Sequence, residues 1–259
     1  MGFSEYSFVN SFRTWLHHRR LRKANPQHGF TVIVNAHREG TYLAAALRSA
    51  IAAAQPLLSQ GVPVELLVVM DRPDQITSVV AQKILKKCCM PKRILRLNVG
   101  DLGLARNAAV KAARFPWIAF LDGDDLWAAN WLTAARSILQ GAEKPDCLIL
   151  HPRYTFYFEL EQGVLHIPDQ SELSHPLAQL VADNFWNSLC IAHDTVFKAC
   201  PYNPNRLSLG LGYEDWSWNR HTVLAGFEHR GVDGTCHYKR QRGGSLCRKS
   251  DQADVLATP

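Results

Sequence analysis

The chain runs to 259 residues, 47% apolar and 20% charged, which suits one large α/β domain with a sizeable core and excludes wholesale disorder. Its formal net charge of +6 gathers toward the ends, in Arg13, Arg19, Arg20, Arg22 and Lys23 and again in Lys239, Arg240, Arg242, Arg248 and Lys249, unlike the broad basic face of a nucleic-acid binder. No apolar run approaches the roughly 20 residues that span a bilayer, the opening residues lack a signal peptide's apolar core, and seven cysteines without metal-ligand spacing read as reduced thiols of a cytosolic protein.

From Phe30 onward, strands and helices alternate. Residues 30–34 form a short continuous apolar run, as expected of a strand buried on both faces. A helix follows, with Thr41 as its expected N-cap and Leu43, Leu47, Ala50 and Ile51 along one face. Residues 64–70 read as the second strand, 76–87 as a helix and 94–97 as the third strand. A small-residue helix through Ala105, Ala108, Ala109 and Ala112 leads to a fourth strand at 117–121. Such alternation implies a largely parallel, Rossmann-like sheet with helices on both faces.

The second half is less regular. Strands are expected at 147–150 and 154–160, a hairpin partner at 163–167, a helix at 177–185, and a Pro/Asn/Gly-rich loop at 201–212. A helix then runs from Glu214 to Ala225, stopped by Gly226, and residues 235–241 are extended. The expected organisation is one domain over 27–250, with a regular half (27–127) and a mixed half (128–250). A basic amphipathic appendage (1–26) precedes it and a polar tail (251–259) follows.

In a parallel sheet the loops leaving the carboxyl ends of the strands form the ligand crevice. Here the first strand ends in Asn35, Ala36, His37, Arg38 and Glu39, the second in Asp71, and the fourth in Asp122-Gly123-Asp124-Asp125. Three carboxylates within four residues raise one another's pKa unless a cation compensates. An oxygen-rich cluster of this kind suits Mg²⁺ or Mn²⁺, which complete their shells with water and substrate phosphates. Set against this is a solvated acidic turn with an Asp helix cap. A phosphatase of the haloacid-dehalogenase type would instead carry its first Asp on the first strand and continue Gly-Thr.

Several segments together resemble the family 2 inverting glycosyltransferases of the GT-A fold: TVIVNAHREGTYLAAALRSA, VELLVVMDRPD, NVGDLGLARNAAVKAARFPWIAFLDGDDLW, GYEDWSWNRHTVLAGF and YKRQRGGSL. The resemblance covers about residues 30–247. It departs from the family pattern at Asn35 for Pro, at His37-Arg38 for Tyr-Asn, and at Met70 for the first of two Asp. It implies a nucleotide-binding half at 27–127 and an acceptor-binding half at 128–250. On the nucleotide-sugar side it implicates Ala36, His37, Glu39, Asp71, Arg106, Asp122 and Arg242, with Asp71 reading the base and Arg106 near the nucleotide. Asp124, with Asp122, would hold the metal, and Asp125 would support it. Arg242, and with it His237, would close over the diphosphate, whereas most of the neighbouring basic run reads as an exposed tail.

Glu214-Asp215 opens the helix after the Pro/Asn/Gly loop, where acids often serve only the helix dipole. The resemblance makes Asp215 the general base and Glu214 the residue that orients the acceptor or the loop. It implies an inverting transfer from a nucleoside-diphosphate sugar to a glycan or lipid-linked hydroxyl, as in cell-envelope or polysaccharide biosynthesis. In the appendage, Phe8, Phe12, Trp15 and Leu16 lie beside arginines at helical spacing, a pattern suited either to packing on the domain or to peripheral contact with the inner face of a membrane. The competing functions are a non-catalytic nucleotide-sugar or glycan-binding module of the same fold and a nucleotidyltransferase. The latter would need a Gly/Lys-rich phosphate loop that residues 35–39 do not supply.

Overall fold

Four parallel strands organise the first half because their apolar residues alternate between two helical layers. They are β1 (Phe30–Ala36), β2 (Val64–Asp71), β3 (Lys92–Leu97) and β4 (Trp117–Asp122), in the computed structural model that describes residues 28–242 and 256–257. The expected appendage at 1–26 lies outside the described residues, as do Arg248 and Lys249. On one face, Val32, Val34, Leu66 and Val68 pack against α1 (Leu43–Ser59), α2 (Gln75–Lys87) and α4 (Trp131–Gly141). On the other, Ile33, Leu67, Ile118 and Phe120 meet α3 (Leu102–Ala112), α6 (Asp194–Ala199) and Trp218 of α7 (Glu214–Leu224). Burial on both sides explains why β1, β2 and β4 read as continuous apolar runs, whereas the edge strand β3 is half exposed and alternates with charged residues.

The strand order is β3-β2-β1-β4-β8-β6-β10-β5, with β5 at Leu126–Trp127, β6 at Leu148–Glu159, β8 at Ile191–His193 and β10 at Glu228–Gln241. β8 runs antiparallel to β4 and joins the parallel half to the mixed half. The two strands expected at 147–150 and 154–160 are one, β6 (Leu148–Glu159), which forms a hairpin with β7 (Gly163–His166). Pro152 is accommodated inside it because the neighbouring β10 changes register between Val232 and Cys236. The helix expected at 177–185 is shorter, α5 (Pro176–Ala182), and α4, α6 and β8 lie outside the expected elements, although α4 buries Trp131, Leu132, Ala135 and Leu139 at helical spacing.

Thr41 does not cap α1. It lies in a 3₁₀ turn, Gly40–Tyr42, and the cap position belongs to Tyr42 with no side-chain hydrogen bond. By contrast Asp74 and Asp101 do cap α2 and α3, accepting from Thr77 N at 2.7 Å and Leu104 N at 2.8 Å. Two residues of the expected polar tail form β11 (Leu256–Ala257), which pairs with β9 (Leu211–Gly212). The described cysteines are free. Among the described residues no helix is long and apolar enough to cross a membrane.

Candidate active site

Register brings the acidic groups to one edge. Asn35 pairs with Asp122 across β1 and β4, Ala36 with Met70 across β1 and β2, and Asp71 with Leu97 across β2 and β3. Ala36 is buried in the floor, and the exposed His37 sets its Nδ1 2.6 Å from the Asp71 carbonyl oxygen. The buried Asp71 carboxylate accepts from Val99 N at 2.8 Å and Gly100 N at 2.7 Å, one bond to each oxygen.

The turn after β4 can approach β1 only because residue 123 is glycine. A Cβ there would lie 2.7 Å from the Asn35 carbonyl oxygen and 3.1 Å from Glu39 Cγ. This close approach draws Glu39 toward Asp124. Burial above all, then the charge of Asp124, pushes the Glu39 carboxyl up to about 7 against the hydrogen bond from His37 N. Burial, then Asp125, likewise pushes the Asp124 carboxyl up to about 6, with Arg242 opposing. Arg242 Nε lies 2.6 Å from Asp124 Oδ2, and its Nη2 lies 3.8 Å from Glu39.

Asp125 faces inward instead. It accepts from the amide of Arg240 at 2.8 Å and lies 3.0 Å from His237 Nε2. His237 is fully buried behind the acidic turn and does not reach outward over a diphosphate, because its ring is the partner of Asp125. The described part of the basic run is not an exposed tail either. Arg240 donates to the Asp124 carbonyl at 2.9 Å, pairs with Glu159 and stacks 4.3 Å over the Tyr42 ring. The concentration of carboxylates at 122–125 draws these arginines in.

Arg106 is the joint between the two halves. It is 1% exposed and donates from Nη1 to Glu214 Oε1 at 2.7 Å and from Nη2 to Asp122 Oδ1 at 3.2 Å. Its guanidinium carbon lies 5.3 Å from the Tyr202 ring centroid. Burial works against its charge, but Asp122 and then Glu214 outweigh that and hold it charged. Sequence reasoning set Arg106 near the nucleotide; in the structure it lies beneath Asp122. Its Nε and both polar atoms of Asn35 are buried without a protein partner, so the floor beside Asp122 retains unmet hydrogen-bonding capacity.

Glu214 is buried and also accepts from Asn205 Nδ2 at 3.0 Å, so both carboxylate oxygens are engaged. Asp215 is only half-buried and accepts the neighbouring Trp216 N at 2.8 Å. Burial, then the charge of Glu214, pushes its carboxyl up to about 6, with Lys239 and Arg106 opposing. Tyr213, just before this pair, holds φ at +53°, a left-handed conformation uncommon for a residue with a Cβ. Asn205, Arg240 and Lys239 were not anticipated; only the basic pattern of 239–242 hinted at two of them.

A parallel α/β half joined to a mixed half, with acidic turns meeting at the join, is the arrangement of the GT-A glycosyltransferases. The profile described as Glycosyl transferase family 2 matches residues 31–184, more than half of the chain, and the chain belongs to that family. Among solved structures the fold is similar to S. aureus TarS 1-349 in complex with UDP-GlcNAc, with TM-score 0.62 and 20% identity over 85% of this chain and 60% of that one. It is similar also to the mannosyltransferase PcManGT of Pyrobaculum calidifontis in complex with GDP-Man and Mn2+, with TM-score 0.60 and 13% identity over 93% of this chain and 67% of that one. A third is GalNAc-T7 with UDP, GalNAc and Mn2+, with TM-score 0.59 and 15% identity over 84% of this chain and 44% of that one. At these identities the likeness is one of fold, and the chain spans only part of each of these proteins. Among curated proteins, none matches the chain in sequence.

Proposed function

We propose that the protein transfers a sugar from a nucleoside-diphosphate sugar to an acceptor hydroxyl with inversion, using Asp215 as general base. The observation that carries this reading is the convergence of Asp122 and Glu214 on the buried Arg106, which ties the carboxylate-lined edge to the neighbouring Asp215, a separate acid of raised pKa. Asp71, with Ala36 and His37 beside it, would receive the base, and Asn35 with Asp122 the ribose side.

A divalent cation, Mg²⁺ or Mn²⁺, fits the donor set. Asp124 and Glu39 are carboxylates whose ionisation is disfavoured first by burial and then by neighbouring acids, and Arg242 is the cation beside them. Among the described residues no three His, Cys, Asp or Glu side chains form a ready-made cage. Cations of this class take only one or two carboxylates when bound with phosphates, so Asp124 with Asp122 would hold it. When bound it supplies charge neutralisation for the leaving diphosphate.

The chain's own residues do the rest. Asp215 takes the proton from the acceptor hydroxyl as the oxygen attacks the anomeric carbon from the face opposite the diphosphate. Glu214, fixed by Arg106 and Asn205, holds the first turn of α7 so that Asp215 meets that oxygen. Arg242, beside Asp124 and Glu39, is placed to follow the diphosphate charge. The acceptor is read as a glycan or lipid-linked hydroxyl of envelope or polysaccharide biosynthesis.

The test is Asp215→Asn with a panel of UDP-, GDP- and dTDP-sugars and either cation. The variant should bind donor normally and lose transfer by about 10²–10⁴-fold, and the wild-type product should carry the inverted anomeric configuration by NMR. Normal turnover by the variant would remove Asp215 from the base role. Thermal stabilisation of the wild type by none of the donors would sink the whole assignment.

A further inference from the structure

We propose that Arg72 is a positioning residue for the nucleobase, holding residues 98–100 as the wall of the pocket that opens on Asp71; this rests on the donor reading above. Arg72 follows Asp71 at the end of β2 with φ at +47°, a left-handed conformation that disfavours any side chain. Glycine would adopt it freely, so an arginine there implies work for its side chain.

That side chain is committed to one segment. Arg72 Nε donates to Asn98 Oδ1 at 2.8 Å and Nη2 approaches the Asn98 carbonyl oxygen at 3.4 Å. The guanidinium lies close against Gly100, where a Cβ would collide with Nη1 and sit 2.5 Å from Cζ. Gly100 is itself left-handed, with φ at +68°. Asn98, Val99 and Gly100 are all exposed, so burial does not hold them in place. The fixing bonds come from two adjacent residues: Asp71 takes the amides of Val99 and Gly100, and Arg72 takes Asn98.

The division has a consequence for binding. Each Asp71 oxygen accepts one backbone N–H, which leaves a further lone pair on each for an N–H on the edge of a base. If the loop slackened, Asp71 would have to order it at the moment of binding, and affinity would fall by that ordering cost. Arg72 keeps the loop ordered beforehand. Its effect is therefore confined to the base end of the donor and does not extend to the diphosphate end near Asp124.

The experiment measures calorimetric affinities of UDP and GDP, each with Mn²⁺, and of inorganic pyrophosphate with Mn²⁺. The proteins are the wild type, Arg72→Gly, Arg72→Lys and Asp71→Asn. Arg72→Gly and Arg72→Lys should both weaken the preferred nucleotide by about tenfold, the value of one charge-assisted hydrogen bond. Pyrophosphate should bind as before, the melting temperature of Arg72→Gly should not fall, and the donor KM should rise far more than kcat changes. Unaltered nucleotide affinity in Arg72→Gly, with affinity lost in Asp71→Asn, overturns the proposal and leaves the donor reading standing. Equal weakening of pyrophosphate also overturns it. Full nucleotide affinity in Asp71→Asn overturns the base-pocket reading itself.

Discussion

Arg106→Ala would leave Glu214 buried without this counter-charge and would strip Asp122 of its guanidinium contact. Removing one partner of a buried ion pair costs about 3–5 kcal/mol, most of it the desolvation penalty of the abandoned charge. The Asp122 end is 29% exposed, so water screens it and the bulk of the loss belongs to Glu214. At about 3 °C per kcal/mol for a domain of this size, the melting temperature should drop by roughly 9–15 °C. Urea unfolding followed by tryptophan fluorescence can partition that loss through a double-mutant cycle. Because Glu214→Gln removes the orphaned charge, Arg106→Ala/Glu214→Gln should recover about 2 kcal/mol relative to the sum of the single variants. The matching cycle with Asp122→Asn should recover less than about 1 kcal/mol. Additivity within about 0.5 kcal/mol in the Glu214 cycle would refute the bridging role.

Other consequences are quickly stated. With the Asp215 carboxyl pushed up to about 6, the ionised base grows as pH rises, and kcat should climb about tenfold from pH 5 to pH 7; a flat profile counts against Asp215. The sign for stability is the reverse: a carboxyl whose folded pKa is raised loses stability as pH rises through that value. At pH 7 Asp215→Asn should therefore be more stable than the wild type, by about 1–2 kcal/mol after allowance for its partial exposure. Gly123→Ala would press a methyl against the Asn35 carbonyl, 2.7 Å from the Cβ position. It should cut kcat/KM by about 10²-fold through displacement of Asp122 and Asp124, while costing about 1–3 kcal/mol of stability. The buried pair His151 and His229, 2.9 Å apart, has its protonation disfavoured by burial, which takes His151 down to about 3. Groups with depressed folded pKa values withdraw stability as pH falls below the unfolded value near 6.5. His151→Gln should accordingly show a shallower loss of urea midpoint between pH 6.5 and pH 5 than the wild type, and identical slopes would exclude the pair as an acid-labile element.

What could be read from the residues was whatever depends on local pattern. Strands β1, β2 and β4 announce themselves because burial on both faces demands uninterrupted apolar residues, and the polar groups at their ends then mark the crevice. Glu214-Asp215 stood out because acids at the start of a helix are visible as such. The mixed half was harder. Pro152 reads as a strand break, yet β6 runs through it because the register change in β10 absorbs the defect, and a register change has no local signature.

Long-range partnership explains the remaining gaps at the site. Arg106 and Glu214 are separated by 108 positions, and nothing near Arg106 in sequence distinguishes a buried bridge from a surface arginine at a helix start. The basic run at 239–242 misled for a related reason. Its arginines look solvent-facing until the turn at 122–125 is folded against them, after which Arg240 is held by the Asp124 carbonyl, Glu159 and the Tyr42 ring. Charge in this protein is therefore legible by composition at the 122–125 turn and only by topology at the join. A substitution at the join, such as Arg106→Ala, consequently reports on how the two halves are held together, whereas one at the 122–125 turn, such as Asp124→Asn, tests the binding role proposed for that turn.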